Sequence, residues 1–159
     1  MRIALPIRRG RRAHRRLRDD QDLLEALLQS TSLLVVACAP DGRLTHASRG
    51  ARELIAGSCP LDTGPEAWIA ALRPRTPSGL PLAREDLPPI RALAGEAVRD
   101  VEVLISNGSR EVLLSATASP VDDERGRRRG AVAIFEDITD QWRREARHRA
   151  RSAEDASIG

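Results

Sequence analysis

The stretch Gly126-Arg127-Arg128-Arg129-Gly130-Ala131-Val132-Ala133-Ile134-Phe135-Glu136-Asp137-Ile138-Thr139-Asp140 decides the fold. A turn leads into an apolar strand over Ala131–Phe135, which runs out at Asp137-Ile138-Thr139 into a charged, helix-prone tail. Asp and Thr carry short side chains whose oxygens can cap the first N–H groups of a helix. One small motif can therefore set the angle between a sheet and the helix that leaves it.

Towards the N-terminus the pattern keeps the period of two expected of half-buried strands. Val101, Val103 and Ile105 share one face, with Asp100 and Glu102 on the other. Asn107-Gly108 signals a hairpin turn. Val112, Leu114, Ala116 and Ala118 then alternate with Leu113, Ser115, Thr117 and Ser119 until Pro120 ends the strand. Residues 121–130 read as a polar loop. Upstream, Glu85–Gly95 reads as a helix with Pro88 and Pro89 tolerated in its first turn. Residues 73–81 are irregular and rich in Pro and Gly, and Glu66–Leu72 is a short helix containing Trp68.

Leu33–Ala39 is a continuous apolar run and reads as a buried strand. Pro40-Asp41-Gly42 turns it back into Arg43–Ala47. Ser48 can cap a helix that Gly57 ends, with Ala51, Leu54 and Ile55 inward. Before these strands, Asp19-Asp20 can open a helix. Its Leu23, Leu24, Leu27 and Leu28 form one apolar stripe. The order is an α+β plan: a five-stranded antiparallel sheet, small helices on one face, and flanking N- and C-terminal helices. The boundaries read as a basic flexible arm (1–18), an N-terminal helix (19–32), the sheet domain (33–138) and an outgoing helix with a frayed tail (139–159).

The chain has 159 residues, enough for one domain with extensions. All 26 basic residues are Arg, a bias that a GC-rich genome explains without functional meaning. The net charge of +3 hides an asymmetry. Residues 1–18 hold eight Arg and no acid, whereas residues 19–137 hold 13 Arg against 19 acids. The high pI thus reflects a basic arm on an acidic domain. Cys38 and Cys59 are isolated, with neither a metal-site spacing nor a disulfide framework, and Cys38 is expected as a small buried side chain. No apolar run reaches the roughly 18 residues of a membrane helix, and the N-terminus lacks the apolar core of a secretory signal. A cytoplasmic protein is expected.

Together these segments resemble a PAS domain over residues 20–140. The likeness rests on Asp41-Gly42 between the first strands, on Leu44–Leu54 as second strand and first helix, on Pro81-Leu82 with Glu85-Asp86-Leu87-Pro88 and Arg91–Glu96, and on Gly130–Thr139. Ser48 stands where such families often have Asn, and Ser can still cap the helix. The resemblance implies a sensory, signal-transducing module that acts through a ligand or a protein partner, without catalysis. Haem and a photoreactive flavin are not expected. The helix before the central strands has no His to serve as axial ligand, and neither Cys38 nor Cys59 lies in the Asn-Cys-Arg-like helix motif of flavin photoreceptors. The cofactor is left unknown, and no metal cluster is expected.

A pocket on the concave sheet face would draw on Val103, Leu114, Ala116, Val132 and Ile134, their facing inferred from period two. A collapsed, closed core is the alternative. Asp137 and Thr139 are the expected signal-relay residues. Leu23, Leu24, Leu27 and Leu28 are candidate dimer contacts, the alternative being that they cover their own sheet. His148 is followed by Arg149-Ala150-Arg151, which does not match a histidine-kinase phosphoacceptor, and no phosphate loop or nucleophile–base spacing appears. With no effector domain in these residues, the output is expected to pass to a homodimeric copy or a separate signalling protein. Two other readings remain. One is a nucleic-acid-associated regulator using the Arg arm, whose binding would weaken steeply with salt. The other is a detached sensor fragment of a histidine kinase or cyclic-nucleotide enzyme.

Overall fold

A computed structural model describes the backbone of residues 8–30, 33–55 and 60–158, with side chains from Arg18 onward except Leu28. The elements run α1 (Arg8–Ser30), β1 (Leu34–Cys38), β2 (Leu44–Ala47), α2 (Arg49–Ile55), α3 (Pro65–Leu72), a 3-10 turn (Arg84–Asp86), α4 (Pro88–Leu93), β3 (Val98–Asn107), β4 (Arg110–Asp122), β5 (Arg128–Asp137) and α5 (Thr139–Ala156). The strands form one sheet in the order β2-β1-β5-β4-β3, with every neighbouring pair antiparallel. The chain crosses from the β2 edge to the β3 edge through α2, α3 and α4, which pack on one face. This is the α+β arrangement expected.

Register separates the two faces. Leu34, Val36 and Cys38 of β1 stand opposite Phe135, Ala133 and Ala131 of β5. Ala133 and Phe135 in turn stand opposite Ala118 and Ala116 of β4. These residues form the inner face. Ala118, Ala131 and Ala133 join Leu87 and Ala92 in the buried core. The small side chains of β4 and β5 therefore let α4 approach the sheet closely.

Several boundaries differ from expectation, each for a local reason. The N-terminal helix begins at Arg8, so Asp19 and Asp20 lie within it. Arg is nearly as strong a helix former as Ala, and the run of arginines extends the helix. The backbone of residues 8–18 is thus helical where an irregular arm was expected. Residues 1–7 lie outside the described part. β4 runs through Pro120, which stands opposite Ala131 of β5. Its pairing with β3 ends at Val98–Ala118, so Pro120 has a neighbour on one side only and its missing N–H breaks no ladder. The helix expected over 85–95 is split at Leu87, whose extended ψ of 131° follows from the proline after it. The β3–β4 loop is Gly108-Ser109, one residue later than expected, because Asn107 pairs with Arg110. Gly108 takes φ +62°, the positive first position that suits this hairpin.

Residues 121–130 form the distal part of the β4–β5 hairpin. Asp123 closes its loop: one carboxylate oxygen accepts from the N–H groups of Arg125 (2.9 Å) and Arg127 (3.0 Å), and the other from the Arg127 guanidinium (2.9 Å). The Arg127 N–H contributes most to holding this carboxyl below its ordinary range. At the other edge, Arg75 exchanges backbone hydrogen bonds with Leu104 (2.8 Å each way) and covers part of the exposed side of β3.

β1 is less buried than its apolar run suggested: Leu34–Ala37 are only part-buried. On the outer face of the sheet Ile134 is 39% exposed. α5 packs back on β4, where Leu113 is buried. None of the described helices is long and apolar enough to cross a membrane.

Candidate functional site: an apolar cavity joined to the outgoing helix

Between the inner sheet face and the small helices lies a cavity of about 80 Å³. Its sheet wall is Leu34 and Val36 of β1, Leu44 of β2, Val103 and Ile105 of β3, Leu114 of β4 and Phe135 of β5. The helical wall is Ala51, Leu54 and Ile55 of α2, Trp68 and Leu72 of α3, then Pro74, Leu87, Pro88 and Pro89. Every lining residue is apolar. Trp68 carries the one polar side-chain atom, and its indole N–H donates to the Gly42 carbonyl at 3.2 Å.

Of the five pocket residues expected, Val103 and Leu114 line this cavity. Ala116 lies on the same face, fully buried, but does not reach the cavity. Val132 and Ile134 point to the opposite face: they stand in register with Ala37 and Val35 of β1 and with Ser119 and Thr117 of β4. The period was right and its phase wrong, because Phe135, Ala133 and Ala131 take the inward set. A one-residue shift exchanges every side chain between faces. Both faces of Ala131–Phe135 are apolar, so the sequence held no cue to choose between them.

One residue from Leu114, the same strand holds the start of α5. The Leu113 N–H donates to the Thr139 hydroxyl (3.0 Å), and the Leu113 carbonyl accepts from the Ile138 N–H (2.9 Å). The Thr139 hydroxyl donates to Asp137 Oδ1 at 2.5 Å, and the same oxygen accepts from the Thr139 N–H at 3.0 Å. Thr139 is buried whereas Asp137 is exposed. The division of labour differs from a simple pair of caps. Asp137 serves the first helical N–H, and Thr139 turns its hydroxyl to the sheet.

Ser48 fulfils the capping role expected of it and more. Its hydroxyl donates to Leu33 O (2.9 Å) and accepts from the N–H groups of Val35 (3.0 Å) and Ala51 (3.4 Å). One buried hydroxyl thus joins the start of β1 to the start of α2. The Arg127-Arg128-Arg129 run, which has the look of a solvated loop, contains a bracket. Arg128 donates to the carbonyls of Ala92 (3.0 Å) and Leu93 (2.6 Å) at the end of α4 and pairs with Asp122 across the hairpin. The cue was the register that sets Asp122 opposite Arg128, which requires knowing that the loop is Asp123–Arg127.

Burial pushes the Cys38 thiol up, and its Sγ lies 3.7 Å from the Ala131 carbonyl. It is the small buried side chain expected. Cys59 lies outside the described residues. His46 and His148 are exposed. Among the described residues no group of three or more His, Cys, Asp or Glu is placed to hold a metal ion. Leu23, Leu24 and Leu27 of α1 are 59%, 55% and 55% exposed, so they do not cover their own sheet. The side chain of Leu28 is outside the described set.

The sheet order, the helical crossover and the exit into α5 define an α+β domain built on one five-stranded antiparallel sheet. The sequence model of the family described as PAS fold matches residues 28–143. The chain belongs to the PAS family, whose domains sense and transmit signals. No curated protein matches it in sequence. Among solved structures it is similar to the PAS domain of nitrogen regulation protein NR(II) from Vibrio parahaemolyticus, at 16% identity and TM-score 0.54, covering 73% of this chain and 98% of that one. It is also similar to the PAS domain of an HTR-like protein from Haloarcula marismortui (22%, TM-score 0.54, 80% and 99%). A third likeness is to an RNA-binding Light-Oxygen-Voltage receptor (18%, TM-score 0.59), of which it covers 38% against 87% of its own length. At these identities the likenesses speak to the fold alone.

Proposed function

We propose that this PAS domain works by binding, without catalysis, and that occupancy of its apolar cavity or contact with a partner shifts the start of α5. The observation that carries this reading is adjacency on β4. Leu114 lines the cavity, and Leu113 holds Ile138 and Thr139 through two hydrogen bonds. A displacement of the cavity wall therefore reaches the helix within one residue. Among the described residues, no side chain lining the cavity offers a free proton donor or acceptor for chemistry, which favours recognition over catalysis.

Thr139 and Asp137 are positioning residues in this scheme. Thr139→Ala leaves the buried Leu113 N–H without its acceptor, a loss of about 1–3 kcal/mol. We expect Thr139→Ala and Asp137→Ala to accelerate amide exchange across residues 140–150 while the sheet keeps its protection. Thr139→Ser, which retains the hydroxyl, should restore slow exchange. Unchanged exchange in both alanine variants would overturn the relay.

We propose further that α1 pairs with a second copy. Its leucine stripe, at i, i+1 and i+4, is more than half exposed and has no cover from its own sheet. Leu23→Glu combined with Leu27→Glu should convert a dimer to a folded monomer in sedimentation velocity. A wild-type protein that sediments as a monomer at tens of micromolar removes this part of the proposal. The output then passes to a separate protein through α1 and α5.

A further inference from the structure

We infer that the cavity takes a small, neutral, wholly apolar molecule of a few heavy atoms, such as a dissolved gas or a short hydrocarbon. This rests on the reading of the cavity as the sensing site and adds the chemistry of its ligand. Size comes first. At about 80 Å³ the cavity is roughly half the 150 Å³ of an engineered apolar cavity that stays dry and binds benzene or xenon. Drug-sized ligands occupy pockets of about 300–1,000 Å³. A porphyrin or an isoalloxazine ring does not fit without the walls moving apart.

Polarity is the second constraint. A buried water needs about 2–4 polar partners, and the described lining provides no free side-chain donor or acceptor. The Trp68 N–H is already engaged by Gly42. The lining therefore gives an ordered water no partners, and it lacks the dispersion contacts that a filled core would supply. An apolar guest restores those contacts. A polar guest would lose its hydration without replacement, at a cost of about 2–7 kcal/mol for an amide or hydroxyl.

The third point is why the space persists. Pro88 and Pro89 open α4 and stand in the cavity wall with φ locked by their rings. Trp68 is held by its hydrogen bond to the β1–β2 turn. Side chains tied in this way cannot swing in to fill a gap as a free Leu or Met would.

The test uses the full chain with ¹³C-labelled Leu, Val and Ile methyl groups under increasing xenon pressure. Saturable shifts are expected at Leu34, Leu54, Val103, Ile105 and Leu114, and none at Val132 or Ile134 on the outer face. Acetate and imidazole should leave the lining methyls unmoved. Benzene should shift them only after Leu114→Ala enlarges the space. Ala51→Leu, which fills the cavity, should abolish the xenon response. If that variant does not fold, Ile105→Phe provides the same test. No saturable shift at the lining methyls, an equal response on the outer face, or a stronger response to a polar probe would each overturn the inference. Amide exchange in residues 140–150 under xenon separates the two proposals. Saturable methyl shifts with unchanged exchange keep the ligand chemistry and remove ligand-driven transmission. A working Thr139 relay without xenon shifts keeps transmission and removes the ligand chemistry.

Discussion

Gly130→Ala is expected to unfold the domain or cost it about 4 kcal/mol or more, the range reached only by exceptional single substitutions. Gly130 is buried at the head of β5 with φ +153°, a conformation that L side chains rarely adopt. A Cβ placed there would lie 2.2 Å from the Cys38 carbonyl oxygen and 3.4 Å from its carbon. Both are backbone atoms of the β1 end, so no rotamer change relieves the clash. The glycine lets β1 and β5 close at the point where Cys38 stands opposite Ala131. Gly108→Ala is the control. Gly108 also has a positive φ, +62°, but nothing lies within 4 Å of its added Cβ. It should lose only the backbone preference, about 1–2 kcal/mol. Urea denaturation of both variants checks this, and equal midpoints would refute the close-approach argument.

Trp68→Ala should cost about 3–5 kcal/mol, the usual range for an aromatic core truncation. Trp68 is 6% exposed, forms part of the central cluster and stands in the cavity wall. Truncation merges a tryptophan-sized void with a cavity that already exists, and the proline-braced wall beside it limits collapse. Its indole also ties α3 to the turn at Gly42, where positive φ and the close approach of Pro65 leave no room for a side chain. Trp68→Phe separates the two contributions: most of the ring volume remains and the hydrogen bond goes. Phe should therefore cost about 1–2 kcal/mol, chiefly an unmet buried carbonyl. If Phe and Ala variants melt together, the hydrogen bond outweighs packing and the void argument fails.

Much of the site could be read from residues because its signals are local. Alternation placed Val103 and Leu114 on the inner face. The Asp137-Ile138-Thr139 step marked the exit into α5, and Ser48 could be assigned its helix from its position alone. Val132 and Ile134 were assigned to the wrong face because Ala131–Phe135 is apolar on both sides. Register with β1 and β4 decides its phase, and register is a property of pairs of strands separated by many residues. Arg128 is a similar case. Its role depends on carbonyls of α4 that lie 35 and 36 residues away. Within a run of three arginines nothing marks the middle one.

The arrangement of elements, the antiparallel sheet, the turn glycines and the apolar stripe of α1 follow from the sequence by itself. Each rests on periodicity or on the backbone freedom of a single residue, and these act over a few positions. The tertiary structure decided what those elements enclose. It set the phase of β5, the closeness of α4 to the alanines of β4 and β5, and the bracket made by Arg128. It also left the cavity between Leu114 and the proline-braced helices, one residue from the hydrogen bonds that hold α5. A void is the space several elements fail to fill together, so its size and lining exist only once all of them have packed.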